Sequence, residues 1–344
     1  MRKVSPRLVA IMMAGAVTVT SITPVTGYQT ITVNAATDSQ EKEAAQGYQT
    51  NLTGFDYKKG DWKETKDGLY SNAVDKGDCF AFSKTTAKNF VYSTDVTFKR
   101  NQGAATLIFR FNNNLDNKEC YAVNIDGGSH KCKLWRWQEN SDYQLIDEKE
   151  VKATDDEKYT LKVVAYDSWI SYYVNDTLIA STGDYTLQKD DKGQSTVLTE
   201  GSLGLLNWNG EMTFQNTYYT ELNDQNTPEL KNISVSSSTG DVEKAAQFTS
   251  TEPIMIQYVK NNAETVDLNI EKKNENADVQ VEYDGKTYND GKNIPVKVGK
   301  NYITVKSTVQ GENGQTATLT YRVNVHRRAA DKTYYNEAYR NQYH

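Results

Sequence analysis

Between Asn51 and about Leu222 apolar and polar residues change places one by one, in short runs broken by turn residues. The pattern is plain in Phe90-Val91-Tyr92-Ser93-Thr94-Asp95-Val96-Thr97-Phe98, in Ala105-Thr106-Leu107-Ile108-Phe109-Arg110-Phe111 and in Tyr159-Thr160-Leu161-Lys162-Val163-Val164-Ala165-Tyr166. A period of two, carried by β-branched and aromatic residues, fits a strand that buries one face and wets the other. No long segment shows a helical period. Asp67-Gly68, Asp126-Gly127-Gly128 and Asn175-Asp176 read as turns between strands. Many strands at regular spacing in a stretch of this size predict two packed sheets, a jelly-roll β-sandwich.

A polar linker at 223–229, containing Pro228, closes this stretch. A second strand-rich unit runs over 230–326, with Ile233-Ser234-Val235, Val279-Gln280-Val281-Glu282-Tyr283, Tyr302-Ile303-Thr304-Val305 and the run from Ala317 to Val325. Asp284-Gly285 and Asp290-Gly291 punctuate it. Its size fits a smaller Ig-like sandwich. Arg327 to Thr333 reads as a charged connector. The expected fold class is all-β, a jelly roll followed by an Ig-like sandwich. Both linkers are expected to be exposed and open to proteases, because they lack apolar anchors.

The N-terminus reads as a secretory leader over 1–35. Arg2, Lys3 and Arg7 form its basic start, Leu8 to Ile22 its apolar middle, and Val33-Asn34-Ala35 a small-residue cleavage site. The alternative is an uncleaved signal anchor. A polar spacer follows at 36–50. The chain is thus expected outside the cell, with no membrane span once the leader is removed. It has 39 Lys and Arg against 45 Asp and Glu, and 36 against 45 without the three basic residues of the leader. An acidic surface disfavours nucleic acid and anionic lipid as partners and leaves neutral polysaccharide open. Three cysteines, Cys79, Cys120 and Cys132, imply no disulfide framework, and the odd count leaves at least one thiol free or paired between chains.

Chemistry is constrained by what is scarce. The histidines are His130, His326 and His344, and no His-Cys or His-Glu set has metal-ligand spacing. No Gly-x-Ser-x-Gly turn and no phosphate loop occurs. No cofactor and no metal is expected. Carboxylates are abundant, so paired acid chemistry is not excluded by counting.

Several stretches, in order, carry a resemblance to the fructan-binding modules of carbohydrate-binding module family 66. They are Gly60-Asp61-Trp62-Lys63-Glu64, Asp67-Gly68-Leu69-Tyr70, the run from Phe90 to Phe98, Leu107-Ile108-Phe109-Arg110, Tyr121-Ala122-Val123-Asn124-Ile125-Asp126, Lys133-Leu134-Trp135-Arg136-Trp137 and Gly204-Leu205-Leu206-Asn207-Trp208-Asn209-Gly210. The resemblance implies a concanavalin-like sandwich holding a terminal fructose in a shallow pocket by polar and stacking contacts. Sugar hydroxyls favour charged bidentate partners, and the weakly apolar ring face suits an aromatic side chain. The candidate sugar-binding residues are Arg110, Glu64, Tyr121, Asp126, Trp135, Arg136, Trp208 and Asn209. Arg110 interrupts an apolar strand at a position where the family carries a ligand arginine; the alternative is a structural pair with Glu64 or Asp126. By alternation Trp135 and Trp137 share one face and Arg136 has the other, so either the tryptophans or the arginine reach ligand. Asn209 stands where related modules carry an acid.

The second unit resembles the cadherin-like sandwiches of bacterial surface enzymes, read here as a spacer without calcium spacing. The last residues, Tyr339-Arg340-Asn341-Gln342-Tyr343-His344, resemble the opening of the catalytic domain of glycoside hydrolase family 32. The Trp-x-Asn-Asp-Pro-Asn-Gly segment that bears the family's nucleophile does not follow. The resemblance implies the front part of a secreted fructan hydrolase, with the catalytic propeller missing and no catalytic residue to name. The rival readings are a lectin-like adhesin with no enzyme attached and a first sandwich that is itself a hydrolase.

Overall fold

The computed structural model describes residues 47–100, 102–138, 143–183, 197–243, 248–250, 254–310 and 316–330. The leader, most of the spacer after it and the hexapeptide at 339–344 lie outside these residues. Among the described residues there are 22 strands, numbered in chain order, and no helix. No helix there is long and apolar enough to cross a membrane.

Two seven-stranded sheets build the first sandwich. One runs β1 (Asp56–Lys58), β4 (Asp78–Ala87), β13 (Gly201–Trp208), β6 (Ala104–Phe111), β7 (Cys120–Asp126), β8 (Lys131–Trp137), β9 (Tyr143–Glu150). The other runs β12 (Thr177–Gly183), β11 (Trp169–Val174), β10 (Lys158–Tyr166), β5 (Phe90–Arg100), β14 (Glu211–Glu221), β3 (Gly68–Asn72), β2 (Asp61–Thr65). All neighbours in both sheets are antiparallel. Alternation decides what faces inward. Leu107 and Phe109 of β6, Tyr121, Val123 and Ile125 of β7 and Leu134 of β8 enter the core between the sheets. There they meet Tyr92, Val96 and Phe98 of β5 and Phe214 of β14. Each such side chain contributes about 1.5–3 kcal/mol on burial.

The outer face of the first sheet is covered in part. Phe80, Phe82, Ile108, Phe111, Leu206 and Trp137 cluster there, and Leu115 of the β6–β7 loop packs on them. Phe82 stacks on Phe111 with ring centroids 4.2 Å apart. The rest of that face stays open and carries the site described below.

The second sandwich pairs a three-stranded sheet, β15 (Leu230–Ser236), β17 (Thr265–Lys272), β20 (Ile294–Pro295), with a five-stranded one. The larger sheet runs β16 (Ile254–Val259), β22 (Thr316–Arg327), β21 (Gly299–Gln310), β18 (Asp278–Tyr283), β19 (Lys286–Thr287). Its β16–β22 pair is parallel. The all-β order of a jelly roll followed by a smaller Ig-like sandwich is therefore as the alternation predicts.

The linker is exposed at Asn223, Asp224 and Gln225, as expected, but its second half differs from expectation. Thr227, Glu229 and Leu230 are buried, and the segment is held where the two sandwiches meet. Tyr166 Oη donates to Glu229 Oε2 at 2.7 Å, and Lys273 Nζ reaches Glu229 at 2.8 Å and Asp224 at 2.8 Å. Trp169 sits edge-on to Tyr321 at 4.9 Å. Val91, Val164 and Tyr173 of the first sandwich share one apolar cluster with Leu230, Val305 and Val323 of the second. Polar residues are buried here because each has a partner, which composition alone does not reveal. The cadherin-like unit is packed against its neighbour rather than tethered to it.

Cys79, Cys120 and Cys132 are all free and buried. Burial pushes the Cys132 thiol up to about 12, and those of Cys79 and Cys120 above the ordinary thiol value. The thiolate is the reactive form. An aromatic disulfide reagent at pH 8 is expected to label none of the three in the native protein and all three in guanidinium. Rapid labelling of one cysteine without denaturant would contradict this.

Candidate functional site

A hollow of about 260 Å³ lies on the open part of the first sheet's outer face. Its cause is a step in side-chain size. The two central strands offer short residues outward, Ala104 and Thr106 from β6 and Ala122 and Asn124 from β7. Taller residues stand on either side. Trp208 and Leu206 come from β13, and Lys133, Trp135 and Trp137 from β8, with Tyr143 of β9 beyond them. Trp208 is 43% exposed and Tyr143 62% exposed, so aromatic faces remain open on both flanks. Tyr143 lies edge-on to Trp135 at 6.2 Å.

Charge enters at the side. Lys133 Nζ donates to Asp126 Oδ2 at 2.6 Å, and the Ser129 amide donates to Asp126 Oδ1 at 3.0 Å. Burial alone would push the Asp126 carboxyl up; Lys133 and Ser129 outweigh it and hold the group below the usual carboxylate range. Lys133 Nζ also lies 5.9 Å from the centre of the Trp135 ring. Asp78 borders the hollow beside Trp208, and burial raises its carboxyl against the pull of Lys118 and Lys59. The floor is neutral. Thr106 Oγ1 and Asn124 Oδ1 are buried and have no hydrogen-bond partner among the described residues.

Of the residues singled out in the sequence, Asp126, Trp135 and Trp208 meet in this hollow. The others stand elsewhere. Arg136 is 2% exposed and turned inward, its guanidinium 5.0 Å from the Tyr121 ring, which is itself in the core. On β8 the tryptophans thus take the outer face and Arg136 the inner one. Burial lowers the Arg136 pKa against the opposing pull of Glu119 and Cys120. Glu64 is exposed on edge strand β2 of the opposite sheet. Asn209 is a turn residue with φ 50°, its Oδ1 accepting from the Gly77 amide at 2.8 Å.

Arg110 stands apart from the hollow's lining and is wholly buried. Its Nη1 donates to the Leu198 carbonyl at 2.8 Å and its Nη2 to the Lys88 carbonyl at 2.9 Å. The cause is a β-bulge: Gly204 faces Ile108 while Ser202 faces Phe111, and Arg110 takes φ 54°. The bulge puts Phe111 on the outer face with Ile108 and sends Arg110 to another contact set. Gly201 accommodates the kink, since a Cβ there would lie 2.5 Å from the Arg110 carbonyl carbon.

Thr106, Asn124, Lys133, Asp78 and Tyr143 were not singled out in the sequence. A signal existed for two of them. Asn124 shares a face with Asp126 by alternation, and Lys133 shares one with Trp135.

The fold and site define a jelly-roll β-sandwich module with an open aromatic-flanked hollow, joined to a cadherin-like sandwich. The chain belongs to the 3-keto-alpha-glucoside-1,2-lyase-like domain family, which matches residues 47–220; a cadherin-like β-sandwich domain matches residues 230–328. It is 59% identical over 286 residues to a fructan beta-fructosidase of Streptococcus mutans, covering 83% of this chain and 20% of that protein. It is 27% identical over 169 residues to a levanase of Bacillus subtilis, covering 49% of this chain and 23% of that protein. The chain therefore spans about a fifth of the length of these relatives. Among solved structures it is similar to a carbohydrate-binding module of family 66 from B. subtilis, with 26% identity, a TM-score of 0.43, and coverage of 51% of this chain and 99% of that one.

Proposed function

We propose that this chain is the fructan-binding, non-catalytic front part of a secreted family 32 fructan hydrolase. The first sandwich binds β-fructan, levan ahead of inulin, and the second holds it against the parts that follow. The proposed segments are a leader at 1–35, a spacer at 36–50, the binding sandwich at 51–222, the linker at 223–229, the cadherin-like sandwich at 230–326 and, at 327–344, a linker with the first residues of a catalytic domain. The observation that carries the reading is the hollow, whose neutral polar floor lies between Trp208 and the Trp135–Tyr143 pair. Sugar rings suit that combination, with C–H faces against aromatic rings and hydroxyls toward the floor. The names of the relatives supply the sugar. Tethering such a module to an enzyme raises the enzyme's local concentration on polymer.

Calorimetry with levan tests this. The chain is expected to bind levan and to release no fructose from it. Trp208→Ala and Trp135→Ala are each expected to weaken binding on the order of tenfold or more, as for a central aromatic contact. Absence of levan binding by the unmodified chain, or unchanged affinity in both variants, would overturn the reading.

A further inference from the structure

Thr106 and Asn124 stand directly opposite each other on β6 and β7, on the floor of the hollow. Thr106 is 2% exposed, and its Oγ1 and Asn124 Oδ1 are both buried without a partner among the described residues. A buried polar atom left unpaired costs stability, and native proteins pair nearly all of them. The two atoms belong to opposed residues that both line the same hollow, and a ligand that brings its own hydrogen-bonding groups would satisfy both. We infer that Thr106 and Asn124 are the specificity-determining pair of this hollow, reading two neighbouring hydroxyls of a single neutral sugar ring.

The chemistry of the two atoms sets the ligand class. Asn124 Oδ1 only accepts, so the ligand must present an O–H. Thr106 Oγ1 both donates and accepts, so it takes an adjacent hydroxyl in either sense. Directly opposed residues on antiparallel strands have Cβ atoms about 4.5–5.5 Å apart, which suits two hydroxyls on one ring rather than on two. The nearby cation does not select an anion, because Lys133 is already paired with Asp126 at 2.6 Å. A volume of about 260 Å³ admits one ring and leaves the next residue of a polymer outside, over the exposed aromatic flanks. The inference rests on the proposed sugar-binding reading and goes on to assign which atoms discriminate.

The test uses Thr106→Val, Thr106→Ser and Asn124→Leu in the 344-residue chain. Levan-derived oligosaccharides are titrated by calorimetry, and each variant is melted without ligand. Thr106→Val removes the hydroxyl and keeps the shape. It is expected to weaken binding on the order of tenfold, and to melt at the same temperature or up to about 2–4 °C higher, since the unpaired hydroxyl is gone. Asn124→Leu is expected to weaken binding by a similar factor, and Thr106→Ser to retain it. Wild-type affinity in Thr106→Val, or a melt several degrees lower, would overturn the assignment and make Thr106 an ordinary part of the fold. The failure of the broader reading looks different: the unmodified chain then binds none of the oligosaccharides. The unliganded melts still decide between an orphaned and a structural hydroxyl.

Discussion

Trp169→Ala is expected to lower the melting temperature of both sandwiches together, by about 10 °C. The indole is fully buried where the sandwiches meet, edge-on to Tyr321 at 4.9 Å. The Tyr321 hydroxyl in turn accepts from the Leu230 amide at 3.0 Å, at the first residue of β15. Removing a buried tryptophan costs about 3–5 kcal/mol, and each kcal/mol moves a chain of this order of size by roughly 2–4 °C. A joint of this kind makes the unmodified protein melt in one calorimetric step. Two separate steps, with only the first displaced by the substitution, would show that the joint contributes little.

Proteolysis reads the same joint. Trypsin has no target within 223–229, which lacks Lys and Arg, so a broad-specificity protease is the better probe. It is expected to leave the sandwiches connected in the unmodified protein and to separate them in Trp169→Ala. Acid weakens the joint as well. Burial would raise the Glu229 carboxyl, but Lys273, Ser250 and Tyr166 hold it below its ordinary value. A depressed carboxylate adds stability above its unfolded pKa, about 4.3 for glutamate, and that stability is lost as pH falls through the lower folded value. Coupling between the sandwiches is therefore expected at neutral pH and to fail only below about pH 4.

Strands and faces were largely legible in the sequence. β5, β6, β10 and β22 lie within two residues of the alternating runs, because each buries one face and leaves little freedom of register. The Asp284-Gly285 turn sits between β18 and β19 as its residue types demand. The hollow was half legible. Trp135, Trp208 and Asp126 are conspicuous types, whereas Ala104, Thr106 and Ala122 matter by being small, and only the assembled sheet shows what small residues leave open. The linker was misread because Glu229 and Thr227 look like surface residues until Tyr166 and Lys273 arrive from distant parts of the chain. Arg110 leaves the face that alternation gives it for a local reason. A strict period of two holds only while the register does, and one bulged residue ends it.

Arg110→Ala is accordingly expected to unfold the first sandwich more readily rather than to blunt its recognition of sugar. The guanidinium ties the turn at Lys88 to Leu198, just ahead of β13, through bonds of 2.9 and 2.8 Å. A hydrogen bond to a charged group is worth about 1.5–3 kcal/mol, and truncation also leaves two carbonyls to find other donors. Together these are expected to cost about 3–5 kcal/mol. Arg110→Lys is not expected to restore it, since one ammonium cannot span two carbonyls as a planar fork does. Thr106 lies four residues away on the same strand, so levan affinity must be measured well below the melting point, where it is expected to change less than threefold. A variant that melts like the unmodified protein yet loses affinity ten- to a hundredfold would return Arg110 to the binding site and move the site away from the hollow.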